Sequence, residues 1–480
     1  LAKANEGMAA PAPGERRTAA AGSSMSRVVG LYQALLRRTL HQFLPEASLE
    51  PAGNRSVIRL PGRRVREHYL LAEDADGLSL DLEWFGTEYR LSPGAPVPFT
   101  MAERRLVESM LEVLDRRFRA LYLPDAPARE DAYQSDIADL IVADWLHVEG
   151  ATHLPAAMEA LRIAALSTYE NRRVSTGVLL LATDADPATP GRDNPPGSPR
   201  YDARLAAIKT LHRICDGVRT LYLVDRRGEL AWPVDVARWA AQARDGLPLP
   251  TPCPQAYEPH ARCTMAAGHV CLVLTPNQEL KVFARGEPAF AYSDGRWRLM
   301  DLGMKFEAWR QALDPTAPPD LAARLFAAAL NLAEQRRGAL FVVLREPEGA
   351  LPALLAPEDR IGYAAPTQGD NPNDPDYVSP RLVKQTLHHI VRGQRLGDLD
   401  ASVLEAIAGI DGAVVTDRAG TLHSFGAILR LTLETVLLPR AVQGARTTAA
   451  LTASYHGPVL KVSEDGFISM FLGGRRMWEI

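Results

Sequence analysis

Gly338-Ala339-Leu340-Phe341-Val342-Val343-Leu344 is a short unbroken apolar run that follows a helical stretch, 320–333, ending in Glu334-Gln335-Arg336-Arg337. Helix then apolar strand is the unit from which α/β folds are built. The same order occurs earlier. A helical stretch over 154–169 ends in Glu170-Asn171-Arg172-Arg173 and leads into Gly177-Val178-Leu179-Leu180-Leu181. Each strand then enters a Pro/Gly-rich loop with Asp-Asn-Pro, at Asp193-Asn194-Pro195 and at Asp370-Asn371-Pro372. A helix and an Asp-Gly turn follow, Asp216-Gly217-Val218 in one case and Asp411-Gly412-Ala413 in the other. Both turns lead into a hairpin with a Gly-bearing loop, Asp225-Arg226-Arg227-Gly228 and Asp417-Arg418-Ala419-Gly420. Ala261-Arg262-Cys263-Thr264 then pairs with Ala445-Arg446-Thr447-Thr448, and Asp294-Gly295-Arg296-Trp297 with Gly473-Gly474-Arg475-Arg476. An ordered series of this kind predicts a duplication.

The fold expected is α/β: two related modules over 150–300 and 320–480, each a mixed sheet flanked by helices, after an N-terminal α+β unit over 25–145. In that unit Val28, Leu31, Leu35, Leu36 and Leu40 share a face of a helix over 26–44. Ser56–Leu60 and Leu78–Leu82 have strand character. Thr100-Met101-Ala102-Glu103 is a capping box, opening a helix to about Tyr122 with Leu106, Met110, Val113, Leu114 and Phe118 on one stripe. Residues 1–24 read as a disordered tail or an appended remnant, with Met25 a credible natural start.

The chain has 480 residues, 46% hydrophobic and 23% charged, with net charge −4. That length predicts two or three domains. The charge leaves no electrostatic footprint for general nucleic-acid binding. No apolar run reaches the roughly 18 residues that span a bilayer, and 1–24 lack the apolar segment of a secretory leader. Four cysteines in such a length fit a reducing, cytoplasmic setting. Cys253, His260, Cys263, His269 and Cys271 are zinc-capable types, but their spacing matches no compact knuckle, and Cys271 sits in an apolar run.

Chemistry concentrates near the C-terminal end. An Asp on a Gly turn ahead of a strand can hold a divalent ion with hard oxygen ligands and draw the proton from a sugar hydroxyl. Gly412 lets the backbone turn and a ligand approach. As a bare dipeptide, Asp411-Gly412 is equally a structural turn. Gly444 precedes Arg446, and Thr447-Thr448-Ala449-Ala450 reads as the first turn of a helix, so free amides, two hydroxyls and a guanidinium meet at an anion-favouring terminus. The structural alternative is an N-cap with a solvated Arg.

These residues resemble the diadenylate cyclase domain family, whose signatures are an Asp-Gly-Ala turn and a Gly-Thr-Arg-His-Arg loop. Arg337-Gly338-Ala339-Leu340-Phe341 is similar to the family's opening strand, and Val459-Leu460-Lys461-Val462-Ser463-Glu464 to its strand ending in Ser-Glu. The resemblance implies one ATP per domain with Mg²⁺ or Mn²⁺. Two domains would meet face to face as a homo-oligomer, each ATP's 3′-hydroxyl attacking the other's α-phosphate to give cyclic di-AMP and pyrophosphate. It implies Asp411 as metal and hydroxyl ligand, and Gly412 and Ala413 along the base or ribose. Arg446 would bind phosphate with Gly444, Ala445, Thr447 and Thr448, and Ser463 and Glu464 would complete the site.

The second signature departs from the family: Thr-Arg-His-Arg reads Ala445-Arg446-Thr447-Thr448 here. Each charge-assisted phosphate contact contributes roughly 1.5–3 kcal/mol. Two lost contacts correspond to a factor on the order of 10²–10⁴ in rate, unless Arg430, Arg440, Lys461 or Arg475 compensates. The sequence therefore supports a diadenylate cyclase-like nucleotidyltransferase regulated by its N-terminal modules. The alternative is a weak or inactive relative that binds a nucleotide or cyclic dinucleotide as a signal. The first module, with Val218 in place of the Ala, reads as degenerate.

Overall fold

The computed structural model describes residues 13–52, 68–73, 77–94, 97–122, 136–146, 153–182, 197–243, 247–265, 268–314, 317–362, 386–431 and 444–480. The strand expected over 56–60, both Asp-Asn-Pro loops and Arg440 lie outside them. The chain divides into two compact units, Leu1–His147 and Val148–Ile480.

In the first unit, helix α1 (Pro13–Phe43) precedes an antiparallel sheet of β1 (Ser48–Pro51), β2 (Tyr69–Glu73), β3 (Leu80–Trp84) and β4 (Thr87–Ser92), in the order β1-β4-β3-β2. Helices α2 (Met101–Tyr122) and α3 (Ile137–Leu146) follow. The capping box forms as expected: Glu103 N donates to Thr100 Oγ1 at 3.1 Å and Thr100 N to Glu103 Oε2 at 2.9 Å. The stripe of Leu106, Met110, Val113, Leu114 and Phe118 is buried. Residues 13–24, expected as tail, belong to α1. Arg16-Arg17 and Ala19-Ala20-Ala21 are strong helix formers, and no proline follows Pro13 within the helix.

The second unit opens with α4 (Leu154–Ala165) and a small hairpin of β5 (Thr168–Tyr169) and β6 (Arg172–Arg173). The strands β7 (Thr176–Leu180), β8 (Thr220–Val224) and β9 (Leu230–Asp235) are followed by helices α5 (Val236–Ala243) and α6 (Glu258–Cys263). Then come β10 (Val270–Leu274), β11 (Leu280–Ala284), β12 (Glu287–Ser293) and β13 (Arg296–Leu299), completing a sheet ordered β13-β12-β11-β10-β7-β8-β9. The chain continues through α7 (Leu302–Leu313), α8 (Pro319–Glu334), β14 (Ala339–Leu344), α9 (Pro347–Leu354), α10 (Ala401–Ala408), β15 (Ala413–Asp417) and β16 (Leu422–Ala427). Helix α11 (Ala445–Ala453) and strands β17 (Val459–Val462), β18 (Ile468–Leu472) and β19 (Arg475–Glu479) close a sheet ordered β16-β15-β14-β17-β18-β19.

The two sheets share one strand order. In each, the first two strands are parallel (β7 with β8, β14 with β15) and the remaining neighbours antiparallel. The expected common topology is present, in a mixed α/β fold, and Asp216 and Asp411 both stand just ahead of the second parallel strand. Two of the expected segment pairings need correction. Gly473-Gly474 turns β18 into β19, the counterparts of β11 and β12, whose turn is Arg285-Gly286. Asp294-Gly295 belongs to the additional hairpin β12–β13. Tight Gly-bearing turns look alike in sequence because the turn encodes its own dihedrals, not its strand partners. Likewise Ala261–Thr264 lies at the end of α6, whereas Ala445–Thr448 opens α11.

Alternation along β14 separates two cores. Phe341 and Val343 pack with α7, α8 and α10 through Trp309, Leu325, Phe326 and Leu404. Leu340, Val342 and Leu344 pack with α9 and α11 through Leu354, Ala450 and Leu451. Each such side chain, fully buried, contributes about 1.5–3 kcal/mol. The second sheet is thus packed by helices on both faces. No helix among the described residues is long and apolar enough to cross a membrane.

Candidate functional site

Gly338, Asp411 and Glu464 occupy one edge of the second sheet. β14 and β15 start there, and β17, antiparallel to β14, ends there. The edge is tied together by Arg446, from the first turn of α11. Its Nη2 lies 3.8 Å from Asp411 Oδ1 and its Nη1 3.4 Å from Glu464 Oε1. The guanidinium lies against the Cα of Gly338, where any Cβ would overlap it. The Asp411 carboxylate is 98% exposed and that of Glu464 73%. Ion pairs so exposed contribute about 0–1 kcal/mol each, so an incoming phosphate can exchange with them at little cost.

Gly412 shapes the edge. Its φ is +120°, and a Cβ would overlap the Gly426 carbonyl carbon and stand 2.6 Å from Ala427 N on β16. Ala413, buried, begins β15 opposite Ala427. Gly444 (φ +101°) is the N-cap of α11 and brings no side chain to the helix start. The amides of Ala445 and Arg446 therefore precede the first intrahelical bond. Thr447 and Thr448 are buried: Thr448 Oγ1 donates to Gly444 O at 3.3 Å, and Thr447 Oγ1 accepts from Lys461 Nζ at 3.1 Å. Burial lowers the Lys461 ammonium below its ordinary value; Glu479 opposes this, and Arg476 and Arg446 add to it. Ser463 serves the β17–β18 turn, its Oγ accepting from Phe467 N at 3.3 Å.

Asp411, Gly412, Ala413, Arg446, Gly444, Ala445 and Glu464 thus share this edge, with Thr447 just beneath it. Arg430 and Arg475 are exposed. Arg337 is a further cation that sequence reading passed over: its guanidinium lies against Gly409, two residues ahead of Asp411. Its place next to Gly338, at the mouth of the opening strand, was the available signal. Among the described residues no group of three or more His, Cys, Asp or Glu is placed to hold a metal. A divalent ion here would take Asp411 as its protein carboxylate, the phosphates and water supplying the rest, a common mode for Mg²⁺.

The matching turn in the first module is closed. Asp216 Oδ1 accepts from Val218 N (2.9 Å), Arg219 N (2.7 Å) and Thr220 N (3.1 Å), and Oδ2 from Arg219 Nε at 3.0 Å. Burial alone would raise this carboxyl; the bonds from Arg219, Thr220 and Val218 outweigh it and bring it down to about 2. His260 Nε2 lies 2.9 Å from Gly217 O, inside the module. Burial lowers His260 to about 4, against the pull of the Gly217 bond and of Asp216. A lowered folded value means the unfolded chain takes up the proton first. The stability His260 confers is complete above about pH 6.5 and is lost as pH falls towards 4. Roughly 3 kcal/mol is expected to vanish over that window. Denaturant titrations at pH 7 and 4 should show it, and His260→Gln should remove that share of the pH dependence.

Among the described residues, the zinc-capable types of this module form no group of three placed to hold a metal. The thiols of Cys253, Cys263 and Cys271 are buried and pushed up by that burial, Cys263 to about 12. His269 Nδ1 accepts from Ala182 N at 3.1 Å. A cavity between the two sheets is lined by Glu279, Lys281, Arg298 and Glu334 among others, and neither Asp411 nor Arg446 is among its lining residues.

No protein-family model and no curated protein matches this sequence. Fifteen chains of solved structures match parts of it. One is a hypothetical membrane spanning protein from Bacillus cereus, 25% identical, matched over 37% of this chain and 71% of that one with a TM-score of 0.25. Another is a double mutant of DacA from Staphylococcus aureus, 18% identical, matched over 32% of this chain and 83% of that one with a TM-score of 0.18. Neither likeness bears on function.

Proposed function

We propose that the second module binds ATP with Mg²⁺ or Mn²⁺ at the Asp411–Arg446 edge. Two such modules from different chains, face to face, would condense two ATP into cyclic di-AMP with release of pyrophosphate. The observation that carries this reading is the convergence of Asp411, Arg446 and Glu464, far apart in sequence, on one sheet edge, with the Asp411 carboxylate open to solvent. Arg446 and the uncapped start of α11 receive phosphate oxygens. Asp411 holds the attacking 3′-hydroxyl and accepts its proton. Gly338 lets the Arg446 guanidinium sit against the strand start, and Gly412 lets the Asp411 turn close onto β16. The metal, when bound, neutralises phosphate charge. A cytoplasmic setting supplies the ATP.

The test is incubation with labelled ATP and Mn²⁺, which should yield pyrophosphate and a cyclic dinucleotide. The engaged hydroxyls of Thr447 and Thr448, and a lone Arg on the loop, favour a second reading, a nucleotide sensor. Tight binding without pyrophosphate release would establish that one.

Because Asp216 is consumed by its own turn, the first module offers no second reaction centre. Cyclisation then requires two chains. Rate per enzyme should rise with protein concentration, and Asp411→Asn chains mixed into wild type should depress activity beyond simple dilution. Rates linear in enzyme at high dilution, from a confirmed monomer, would contradict the two-chain site.

A further inference from the structure

We propose that the first module positions the Glu464-bearing turn, and with it the Asp411–Arg446–Glu464 cluster, through Arg336 acting as a positioning residue. Arg336 follows α8 in a left-handed conformation (φ 55°) and reaches in two directions. Its Nη1 donates to the carbonyl of Asp465, in the turn that joins β17 to β18. Its Nη2 donates to Glu279 Oε1 of the first module at 2.8 Å.

Glu279 is itself fixed. Its side chain is 9% exposed and lies 3.4 Å from Lys281 Nζ and 3.6 Å from Arg298 Nη2, while Lys281 also pairs with Glu334 on α8. Arg298 lies 4.2 Å over the ring of Phe467, the residue that leaves the turn. The turn is therefore held at Asp465 by Arg336, which is itself anchored on Glu279 of the first module, and at Phe467 directly by Arg298 of the first module. Its own bonds, Ser463 N to Phe467 O at 2.8 Å and Gly466 N to Ser463 O at 3.0 Å, make it a stiff unit that moves as one. Glu464 sits in the middle of that unit and contacts Arg446 on its free side.

Charges this buried interact more strongly than surface pairs, and a planar guanidinium holds two acceptors in fixed directions. A change at Glu279 thus reaches Glu464 without touching it. The functional half of this inference rests on the nucleotide reading of the edge; the mechanical half does not.

The experiment compares wild type, Glu279→Gln and Arg336→Lys by amide hydrogen exchange and by Mn²⁺·ATP affinity. Glu405→Gln is the control: Glu405 also binds α8, through Asn331 and Gln335, but away from the turn. Arg336→Lys keeps the charge but cannot span both partners. Both test variants should speed exchange at Gly466 and Phe467 by about tenfold and weaken Mn²⁺·ATP binding by about three- to tenfold. Glu405→Gln should do neither. Unchanged exchange at the turn in both variants would overturn the inference, as would faster exchange with unaltered affinity. Absence of Mn²⁺·ATP binding in wild type would sink the functional reading instead, and exchange alone would then decide whether the brace exists.

Discussion

Asp411→Asn is expected to lower nucleotidyl transfer by a factor on the order of 10² or more while leaving stability within about 0.5 kcal/mol of wild type. The two halves of this result have one cause. A carboxylate 98% exposed, with a guanidinium at 3.8 Å, contributes almost nothing to folding. An amide in its place is a poor ligand for a hard cation and a poor base for a hydroxyl. Asp216→Ala should do the reverse. Three backbone amides and the Arg219 side chain lose their acceptor, so stability should drop by about 1–3 kcal/mol with the intrinsic activity of folded chains retained. Thermal unfolding and pyrophosphate release on both variants separate the two carboxylates. Wild-type turnover in Asp411→Asn would refute the site.

Gly412→Ala should cost about 3 kcal/mol or more. At φ +120° an L-residue is strained by about 1–3 kcal/mol, and its Cβ has no room against the β16 backbone at Gly426 and Ala427. Gly473→Ala is the matched comparison. Gly473 also has a positive φ, +59°, but a Cβ there meets nothing within 4 Å. It should cost about 1 kcal/mol. The difference between the two denaturant midpoints combines the close approach with the greater backbone strain at φ +120°, and equal costs would show that the β15–β16 contact is looser than the structure has it.

Local pattern was enough for much of this protein. The apolar runs at 177–181 and 338–344, the capping box at Thr100–Glu103 and the Gly-bearing hairpins at 225–228 and 417–420 each encode their own conformation through side-chain period, hydrogen-bonding reach or permitted dihedrals. Their order along the chain also foretold that the two sheets would share a topology, since connections between neighbouring elements are short and follow few paths. The start of α1 was misplaced because helix propensity in Arg16–Ala21 carries no amphipathic signature.

Tertiary structure alone decided the rest. Asp216 and Asp411 look equivalent as dipeptides. One is spent on the amides of Val218, Arg219 and Thr220, and the other stays open to solvent beside Arg446 because the chain after it enters β15 at once and pairs with β16. The pairing of turns was misjudged for a related reason: β12–β13 is an additional hairpin, visible only in the strand order. The seat of Arg446 on Gly338 and the grip of Arg336 on Glu279 and Asp465 join residues far apart in sequence. Such contacts depend on how two folded surfaces meet, and no local period or turn rule records that.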